Sequence, residues 1–586
     1  MQSAPISKMP CESRLRQGLK FRWTIHTAPN AAVMEIARTH CLTYPIAHCL
    51  YAREIREKDQ ISRLLTTDKD RDVAHSSLLK GALQSIARIK LAIERGEKIL
   101  IFGDYDVDGI TSSSIMLLAL LPLKANVNFY LPNRKKDGYG LSVSAVERAV
   151  HNGYSLIITV DNGISAFAAA FRAQELKIDL IITDHHQPHD DVPPAFAIVN
   201  PQQKDCPFPA KSLAGVGVAF KLMCLLYEQL GKNLPEKVYE LLTLGTVADV
   251  VALTGENRYW VQYGLSLINK HKSRAITQLL ANSNFTKSQV GSRDIGFMVA
   301  PQLNALGRID DPRDAVAFMI STHDDIIERV GKKLKEINDE RKKIDRDIFL
   351  QMEEAIANKT IDLSKEHVIF AASKTWPAGV IGLVAGKLVQ HYGRPTFLLH
   401  LTADGLAKGS CRSVPGLDLF GALKEHEDLL ISFGGHTSAA GLALKQENLP
   451  ELKSRLEATV ARQFTLNDLQ PNITIDAPLE LPEITPALMA DLDRLEPFGH
   501  KNHEPTFLIP DVTLVREPQL LKDAHVKASV FSQGTIKPII FFNRPDIYQA
   551  LSTIGDKPFD IVATVTRNEW NGKTTLELMG QDIAIG

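Results

Sequence analysis

Short apolar runs alternate with longer, helix-like segments between about residues 98 and 249. The runs cover residues 99–102, 127–131, 156–160, 180–183 and 195–199. A run of strand length that is apolar on both faces is typical of a strand buried in a parallel sheet, with helices over both faces of that sheet. The pattern therefore predicts an α/β domain built on a parallel sheet.

The remaining sequence changes character three times. Residues 324–357 read as a charged, solvated helix that joins two lobes, with eight Lys or Arg and four acidic residues between Arg329 and Arg346. A second α/β segment spans residues 367–464 and contains the turn Gly434-Gly435-His436. From about residue 473, short strand-like runs separated by Gly, Asn and Pro predict a small β-barrel or sandwich.

Length and composition restrict the class of protein. The 586 residues include 67 Lys or Arg and 68 Asp or Glu, so the net charge is −1 and a uniformly basic surface is excluded, although a local basic groove is not. The six cysteines include no Cys-x-x-Cys pair, which disfavours a cysteine zinc site or a disulfide framework. The N-terminal segment lacks the apolar stretch of a signal peptide, and the most apolar run, 115–123, is too short for a membrane span. We expect a cytoplasmic, multidomain protein.

Acidic residues and histidines follow three of the apolar runs directly. The first, third and fourth runs end in Asp104-Tyr105-Asp106-Val107-Asp108-Gly109, in Asp161-Asn162-Gly163 and in Asp184-His185-His186. The carboxyl ends of neighbouring parallel strands meet at one edge of a sheet, where ligands bind. So many carboxylates share a site only if they are protonated or neutralised by cations. Asp with His and without Cys favours one or two Mn²⁺ or Mg²⁺ ions, which suit phosphoester hydrolysis.

Each motif alone has a simpler interpretation. The Asp104-x-Asp106-x-Asp108 spacing begins like a calcium-binding loop, but the twelfth position is Ile115 rather than Glu. Asp161-Asn162-Gly163 alone is a common turn, and Asp184-His185-His186 alone could be a surface turn. The occurrence of all three at strand ends favours a metal site.

The same motifs resemble the DHH phosphoesterase superfamily and, within it, the RecJ family of bacterial exonucleases, which degrade single-stranded DNA from the 5′ end. The resemblance extends through 213–217, 245–251, 300–308, 409–413, 434–436 and the C-terminal barrel. It implies an N-terminal extension (1–55), a DHH domain (56–323), a connecting helix (324–360), a DHH-associated domain (361–465) and an oligonucleotide-binding (OB-like) barrel (466–586).

The resemblance also implies roles for individual residues. The metal ligands would be Asp106, Asp108, Asp161, His185 and Asp249, with Asp161 bridging two ions. Asp104 and His186 would lie in the same shell, as a ligand, a water-positioning residue or a proton relay. Asn304 and Arg308 would face the scissile phosphate.

A second group of residues would hold the substrate strand. Arg134, Ser410 and Arg412 match a pocket for the 5′-terminal phosphate, and Gly434, Gly435 and His436 would hold the nucleotide. Lys527 and Lys537 are candidate phosphate contacts in the barrel, where one or two aromatic residues should be exposed for base stacking. Two departures from the family pattern stand out: Trp376-Pro377-Ala378-Gly379 lacks the usual histidine, and Lys501 occupies a glycine position.

Three functions are compatible with these features. The first is a metal-dependent exonuclease that releases 5′-mononucleotides from single-stranded DNA during recombination and repair. The resemblance further implies a monomer supplied with single strands by a helicase and a single-strand-binding protein. The second is a DHH phosphodiesterase of short oligonucleotides or cyclic dinucleotides, and the third is a non-catalytic scaffold that binds single strands. The length, the barrel and the complete acidic set favour the first.

Overall fold

The computed structural model describes residues 12–133, 138, 140–570 and 573–585. They divide into two compact units. The first, which we call the parallel-sheet unit, comprises Ser62–Asp339 and Arg494–Glu504. The second, which we call the composite unit, comprises the described residues up to Ile61, Glu340–Asp493 and those from Pro505 onward.

The described strands, in chain order, are β1 (Glu12–Gln17), β2 (Arg22–Thr27), β3 (Lys98–Phe102), β4 (Asn126–Tyr130), β5 (Tyr154–Val160), β6 (Asp179–Thr183), β7 (Ala197–Val199), β8 (Ile369–Ser373), β9 (Thr396–Leu401), β10 (Leu406–Arg412), β11 (Leu430–Gly435), β12 (Ala439–Lys445), β13 (Asn472–Ile475), β14 (Ala477–Pro478), β15 (Phe507–Leu514), β16 (Gln519–Leu521), β17 (His525–Ser532), β18 (Thr535–Phe541), β19 (Phe559–Trp570) and β20 (Lys573–Ile585).

The α-helices are α1 (Asn30–His40), α2 (Tyr44–Ala52), α3 (Lys58–Leu65), α4 (Lys69–Asp72), α5 (Ala82–Arg95), α6 (Val107–Leu120), α7 (Val143–His151), α8 (Phe167–Glu175), α9 (Gly215–Gln229), α10 (Lys237–Ala248), α11 (Gly255–Lys270), α12 (Arg274–Asn282), α13 (Ser292–Asp294), α14 (Ala300–Ile309), α15 (Arg313–Ile320), α16 (Asp324–Ala357), α17 (Ile381–Tyr392), α18 (Leu419–Lys424), α19 (Leu449–Ala461), α20 (Pro486–Leu495) and α21 (Pro545–Ser552). A π-helical turn, Ile295–Val299, directly precedes α14.

The parallel-sheet unit is built on a five-stranded sheet in the order β4-β3-β5-β6-β7. All four strand pairs are parallel, as the apolar runs predict. The connection after β3 leads to one side of that strand and the chain then crosses back to β5, so the topological switch point lies between β3 and β5. Ligands of open α/β sheets bind outside the carboxyl ends of the strands at such a point.

Apolar side chains cover both faces of this sheet. On one face Ile99, Ile101 and Ile158 pack with Ile115 of α6 and Phe220 of α9. Alternate residues of the same strands point to the opposite face, where Leu100, Phe102 and Ile157 belong to a second cluster with residues of α7 and α8. Burial on both faces fixes the register of the strands and therefore the position of their carboxyl ends.

The composite unit contains three sheets. A five-stranded sheet has the order β11-β12-β10-β9-β8, and only its β8–β9 pair is parallel. A seven-stranded sheet has the order β14-β15-β19-β20-β18-β17-β16, and an additional β15–β17 pairing closes its five central strands into a barrel. The predicted second α/β lobe and β-barrel are therefore both present.

The N-terminal strands form part of the composite unit. β1 and β2 form an antiparallel hairpin, and β2 pairs in parallel with β13. Trp23 of β2 is buried with Leu508 and Val562 of the barrel, and its indole nitrogen donates to Asp582 at 3.0 Å. None of the described helices has the length and apolar character that a membrane span requires.

Candidate metal centre and phosphate-binding residues

The loop after β3 carries three of the predicted site residues. Asp104 is buried, and its Oδ1 accepts from the Tyr105 amide at 2.7 Å. Asp106 caps the N-terminus of α6 by accepting from the Gly109 amide at 3.1 Å. A Cβ atom on Gly109 would lie 2.4 Å from the Asp104 carbonyl oxygen, so this turn requires glycine.

Asp108, in the first turn of α6, faces the N-terminus of α9. Its two oxygens accept from the Gly215 and Val216 amides, each at 2.7 Å. Amides at a helix N-terminus stabilise a carboxylate and fix its orientation. Burial, together with the neighbouring charge of Asp106, nevertheless raises the pKa of Asp108 to about 7.

The end of β5 places Asp161 beside Asp108. Asp161 is buried and has a φ of 61°, the left-handed region in which Asp is better tolerated than most residues. The next residue, Asn162, donates from Nδ2 to the carbonyls of Phe102 and Val160, at 3.2 and 2.9 Å. Asn162 therefore ties the carboxyl ends of β3 and β5 together at the switch point.

The end of β6 contributes an ion pair and a neutral imidazole. Asp184 Oδ1 accepts from Nδ1 of His186 at 2.7 Å, and Asp184 Oδ2 accepts from the Ile164 amide at 2.9 Å. Burial opposes the charge of His186, but the hydrogen bond and charge of Asp184 outweigh it and raise the His186 pKa to about 9. Burial and the charge of His186 instead lower the pKa of His185 to about 4, so His185 is neutral, as metal ligation requires.

Asp249, which follows the last residue of α10, completes the cluster. His185 Nε2 lies 3.1 Å from an Asp161 oxygen, 3.6 Å from an Asp249 oxygen and 3.7 Å from an Asp108 oxygen. Three overlapping groups of side chains bring their ligand atoms within 4.8 Å of one another: Asp161, His185 and His186; Asp108, His185 and Asp249; and Asp104, Asp106 and Asp161.

The electrostatics of this cluster fit divalent cations. Burial, reinforced by neighbouring carboxylates, raises the pKa of Asp104 and Asp161 well above the usual range and raises that of Asp249 to about 9. Within the described part of the chain, Asp161 Oδ1, His185 Nε2 and Asp249 Oδ2 are buried without a hydrogen-bond partner. Buried polar atoms without partners are costly, and oxygen ligands with an imidazole are the set that suits Mn²⁺ or Mg²⁺.

Helix α14 packs against the acidic loop. Asn304 Oδ1 accepts from the Val107 amide at 3.1 Å, so Asn304 also supports the start of α6. Gly307 lies so close to Tyr105 that a Cβ atom would be 2.4 Å from the Tyr105 carbonyl oxygen. Arg308, one turn beyond Asn304, is half-buried on the same helix. The structure thus brings Asn304 to the loop that carries Asp104 and Asp106, and Arg308 follows one turn later on the same helix.

The predicted phosphate-binding residues of the composite unit meet at the start of α17. Arg412 donates from Nη1 to Ser410 Oγ at 3.3 Å, both residues being on β10. A Cβ atom on Gly382, in the first turn of α17, would lie 2.6 Å from Ser410 Oγ and 3.2 Å from Arg412 Nη2. A guanidinium, a hydroxyl and a helix N-terminus are groups that bind phosphate. The third predicted member, Arg134, lies outside the described residues.

The Gly434-Gly435-His436 turn ends β11. Gly435 has a φ of 144°, and a Cβ atom there would lie 2.4 Å from the Ala439 carbonyl oxygen, so only glycine fits. The His436 amide donates to that same carbonyl at 2.9 Å, and its imidazole is exposed. An exposed side chain on a fixed turn is available to a ligand.

The two barrel lysines differ in their surroundings. Lys527 is exposed on β17, whereas Lys537 Nζ donates to the Ile484 carbonyl at 2.8 Å, and burial lowers its pKa. Among the predicted barrel aromatics, Phe531 and Phe542 are exposed and Phe541 and Phe559 are buried. The side chain of Trp570 is outside the described part of the barrel.

The sequence does not predict two of the interactions that build this site. The clamp formed by Asn162 and the ion pair of Asp184 with His186 depend on contacts between strand ends, and residue type alone does not specify those contacts. The recurrence of Asp and Asn at successive strand ends is the one signal that could have drawn attention to both. At the second departure from the family pattern, Lys501 takes a φ of 59°, the conformation that glycine adopts freely.

Three family models match the chain. The "DHH family, N-terminal domain" covers residues 98–246, the "DHHA1 domain" covers 365–462 and the "RecJ OB domain" covers 475–582. The single-stranded-DNA-specific exonuclease RecJ of Bacillus subtilis is 36% identical over 569 residues, which are 97% of this chain and 71% of that protein. The chain belongs to the RecJ family. The RecJ protein of Escherichia coli is 32% identical over 92% of this chain and 96% of its own length.

Solved RecJ structures have the same fold. RecJ from Thermus thermophilus in complex with Mn²⁺ superposes with a TM-score of 0.79 at 26% identity, over 96% of this chain and 79% of that one. The same protein in complex with Mg²⁺ superposes with a TM-score of 0.74 at 25% identity, over 96% of this chain and 78% of that one. The family and fold predicted from the sequence are confirmed.

Proposed function

We propose that this RecJ-family chain is a metal-dependent exonuclease that hydrolyses single-stranded DNA from the 5′ end to 5′-mononucleotides. The observation that carries the proposal is the convergence of five carboxylates and two imidazoles at the switch point of the parallel sheet, with buried ligand atoms that lack partners. The curated relatives are named single-stranded-DNA-specific exonucleases, and the predicted role in recombination and repair goes with that activity.

Asp106, Asp108, Asp161, His185 and Asp249 would hold the metal, with Asp161 as the proposed bridging ligand if two ions bind. When bound, Mn²⁺ or Mg²⁺ would supply charge neutralisation at the phosphate and activation of water for hydrolysis. Asp104 lies in the same shell, as a ligand, a water-positioning residue or a proton relay, and its Oδ1 accepts from the Tyr105 amide. The charged imidazole of His186, held through Nδ1 by Asp184, presents Nε2 to the substrate as a proton donor.

Arg308 and Asn304 face the scissile phosphate, and the Arg308 guanidinium stabilises the negative charge that develops there. Arg134, Ser410 and Arg412 bind the 5′-terminal phosphate, together with the start of α17. A terminal phosphate is a dianion, whereas an internal phosphodiester carries a single negative charge. Recognition of that dianion makes the enzyme an exonuclease rather than an endonuclease.

Gly434, Gly435 and His436 hold the nucleotide, and Lys527 and Lys537 are the proposed phosphate contacts of the barrel. The proposed domains are an N-terminal extension (1–55), a DHH domain (56–323), a connecting helix (324–360), a DHH-associated domain (361–465) and an OB-like barrel (466–586). A helicase and a single-strand-binding protein supply the substrate, and the chain acts as a monomer in the cytoplasm, where that DNA is found.

The proposal is tested with Asp161→Asn and the matched control Asp205→Asn, whose carboxylate is exposed and paired with Lys80. With Mn²⁺, we expect Asp161→Asn to lower the hydrolysis of a long single strand by at least about a thousandfold, since metal-site chemistry supplies most of the rate. Strand binding should persist in that variant, and Asp205→Asn should behave as the unaltered protein.

Two outcomes would select the other functions. A preference for dinucleotides over long strands would identify a short-oligonucleotide phosphodiesterase. Tight strand binding by the unaltered protein without hydrolysis in Mn²⁺ or Mg²⁺ would identify a non-catalytic scaffold. Unchanged turnover in Asp161→Asn would overturn the metal assignment.

A further inference from the structure

The π-helical turn and α14 carry a row of accessible residues. Gly296 and Met298, on either side of Phe297, are partly exposed. Phe297 itself is exposed, and Pro301, Asn304 and Arg308 follow it as partly exposed positions, spaced four, three and four residues apart. That spacing places them on one side of a helix. Their neighbours Val299, Leu303, Ala305 and Leu306 are fully buried. Phe297 therefore lies in line with the two residues assigned to the scissile phosphate.

Both ends of this helical segment pack against elements that carry residues of the metal centre. At its C-terminal end, Asn304 accepts from the Val107 amide, and Gly307 packs on Tyr105 of the acidic loop. At its N-terminal end, a Cβ atom on Gly296 would lie 3.7 Å from Val247 Cγ1, two residues before Asp249. Phe297 follows Gly296 directly in the π-helical turn, and it is this turn that packs beside the last turn of α10.

The exposure of Phe297 has no explanation in packing. Its side chain is 78% exposed, the largest value among the large apolar residues of the described chain. π-Helical turns are rare and are frequent at functional sites. An accessible aromatic ring beside a phosphate-binding face is the arrangement by which proteins stack the bases of single strands.

We propose that Phe297 stacks on a base of the single strand whose scissile phosphate lies at Asn304 and Arg308. The inference rests on the proposed function and adds a base contact to it. Seven residues separate Phe297 from Asn304, which corresponds to about 10 Å along a helix. The stacked base therefore lies within about three nucleotides of the scissile phosphate, at a rise of about 3.4 Å per nucleotide.

The kinetic test compares Phe297→Ala, Phe297→Trp and the control Phe171→Ala. Phe171 is also an exposed phenylalanine of the parallel-sheet unit, on α8. We expect Phe297→Ala to raise KM for single-stranded DNA about five- to tenfold with little change in kcat, which is the size of one base–aromatic contact. Phe297→Trp should restore KM, and Phe171→Ala should leave it unchanged.

A binding test reads the stacking directly. In the Asp161→Asn background with Mg²⁺, 2-aminopurine is placed at each of the first six or so positions of a 5′-phosphorylated strand. Stacking on Phe297 should quench the fluorescence at one position, and adding Phe297→Ala should abolish that quenching while the unfolding temperature stays the same. An abasic nucleotide at that position should weaken binding only when Phe297 is present.

Equal quenching with and without Phe297 at every position, or an unchanged KM, would overturn the stacking proposal. The two proposals fail in different ways. If the unaltered protein hydrolyses single strands but Phe297→Ala changes neither quenching nor KM, only the stacking contact is wrong. If the unaltered protein hydrolyses no strand, the proposed function is wrong whatever the fluorescence shows.

Discussion

At the scale of single residues, the environment of each titratable group decides its role. His185 and His186 are adjacent in sequence, yet burial leaves one neutral, whereas the Asp184 carboxylate keeps the other charged. The neutral imidazole is suited to ligation and the charged one to proton donation. A single carboxylate, Asp184, therefore separates the functions of two identical side chains.

This difference predicts a pH effect for Asp184→Asn. The His186 pKa is about 9 beside Asp184, so its charge persists up to that pH. Without the Asp184 carboxylate, only the weaker effects of the Asp249 and Asp108 charges oppose burial, so the His186 pKa falls toward the usual value of about 6.5. In the variant, His186 is therefore neutral between its lowered pKa and about 9, where the unaltered protein keeps it charged. We expect kcat/KM to fall more in mildly alkaline than in mildly acidic solution.

The pH profile of kcat/KM checks this expectation. His186→Gln, which cannot titrate, is the control and should lack the alkaline limb that His186 produces. Parallel profiles for Asp184→Asn and the unaltered protein, differing only by a constant factor, would mean that His186 does not act in its charged form.

At the scale of elements, the ends of β3 and β5 must stay in register for Asp104 and Asp161 to meet. Asn162 provides a specific link, because its side-chain amide is bound to the carbonyl of each strand end. The link is fully buried. Its loss therefore removes one hydrogen-bond donor from each of two carbonyl groups, those of Phe102 and Val160.

Asn162→Ala should lower the free energy of unfolding by about 1–3 kcal/mol, the cost of buried polar groups without partners. Because the strand ends carry the proposed metal ligands, Mn²⁺ affinity should fall as well. Urea denaturation and calorimetric titration measure the two effects. Asn126→Ala, an exposed asparagine on β4, is the control and should change stability by less than about 0.5 kcal/mol. If Asn162→Ala has the same stability and Mn²⁺ affinity as the control, the link that Asn162 forms between β3 and β5 does not hold the site together.

The strands, but not their links, could be predicted from the sequence. Apolar runs located β3, β5 and β6 to within a residue or two, because burial on both faces leaves a clear local pattern. Run 195–199 was longer than the observed β7, Ala197–Val199, since its first residues lie in the preceding loop. The π-helical turn has no comparable local signal, since its residues are as apolar as those of an ordinary helix.

At the scale of the whole molecule, distant segments share one core. Trp23 packs with Leu508 and Val562, which lie near the other end of the chain. No local pattern in the N-terminal segment could identify these partners, because they are contributed by residues about 500 positions away. The near-zero net charge is likewise a sum over unlike regions, because a buried acidic cluster offsets basic residues elsewhere.

The proposed contact of Arg412 with the 5′-terminal phosphate predicts a selective defect. Arg412→Ala should raise KM for a 5′-phosphorylated strand at least about tenfold, since a charge-assisted contact contributes about 1.5–3 kcal/mol. For a strand with a 5′-hydroxyl, Arg412→Ala should change KM little, because the phosphate that Arg412 contacts is absent. The kcat should remain near its original value for both strands. The control is Arg455→Ala, which removes a half-buried arginine of α19 that is paired with Asp428. Equal effects on both strands would exclude Arg412 from a 5′-phosphate pocket.

The release of label from a single strand tests whether this protein is a metal-dependent exonuclease that starts at the 5′ end. A strand labelled at its 5′ end is incubated with the unaltered protein and Mn²⁺, beside the same strand labelled at its 3′ end. The account predicts that labelled mononucleotide appears at once from the 5′-labelled strand, late from the 3′-labelled strand, and not at all when the metal is chelated. Labelled mononucleotide in the presence of chelator, or its release first from the 3′ end, would contradict the account.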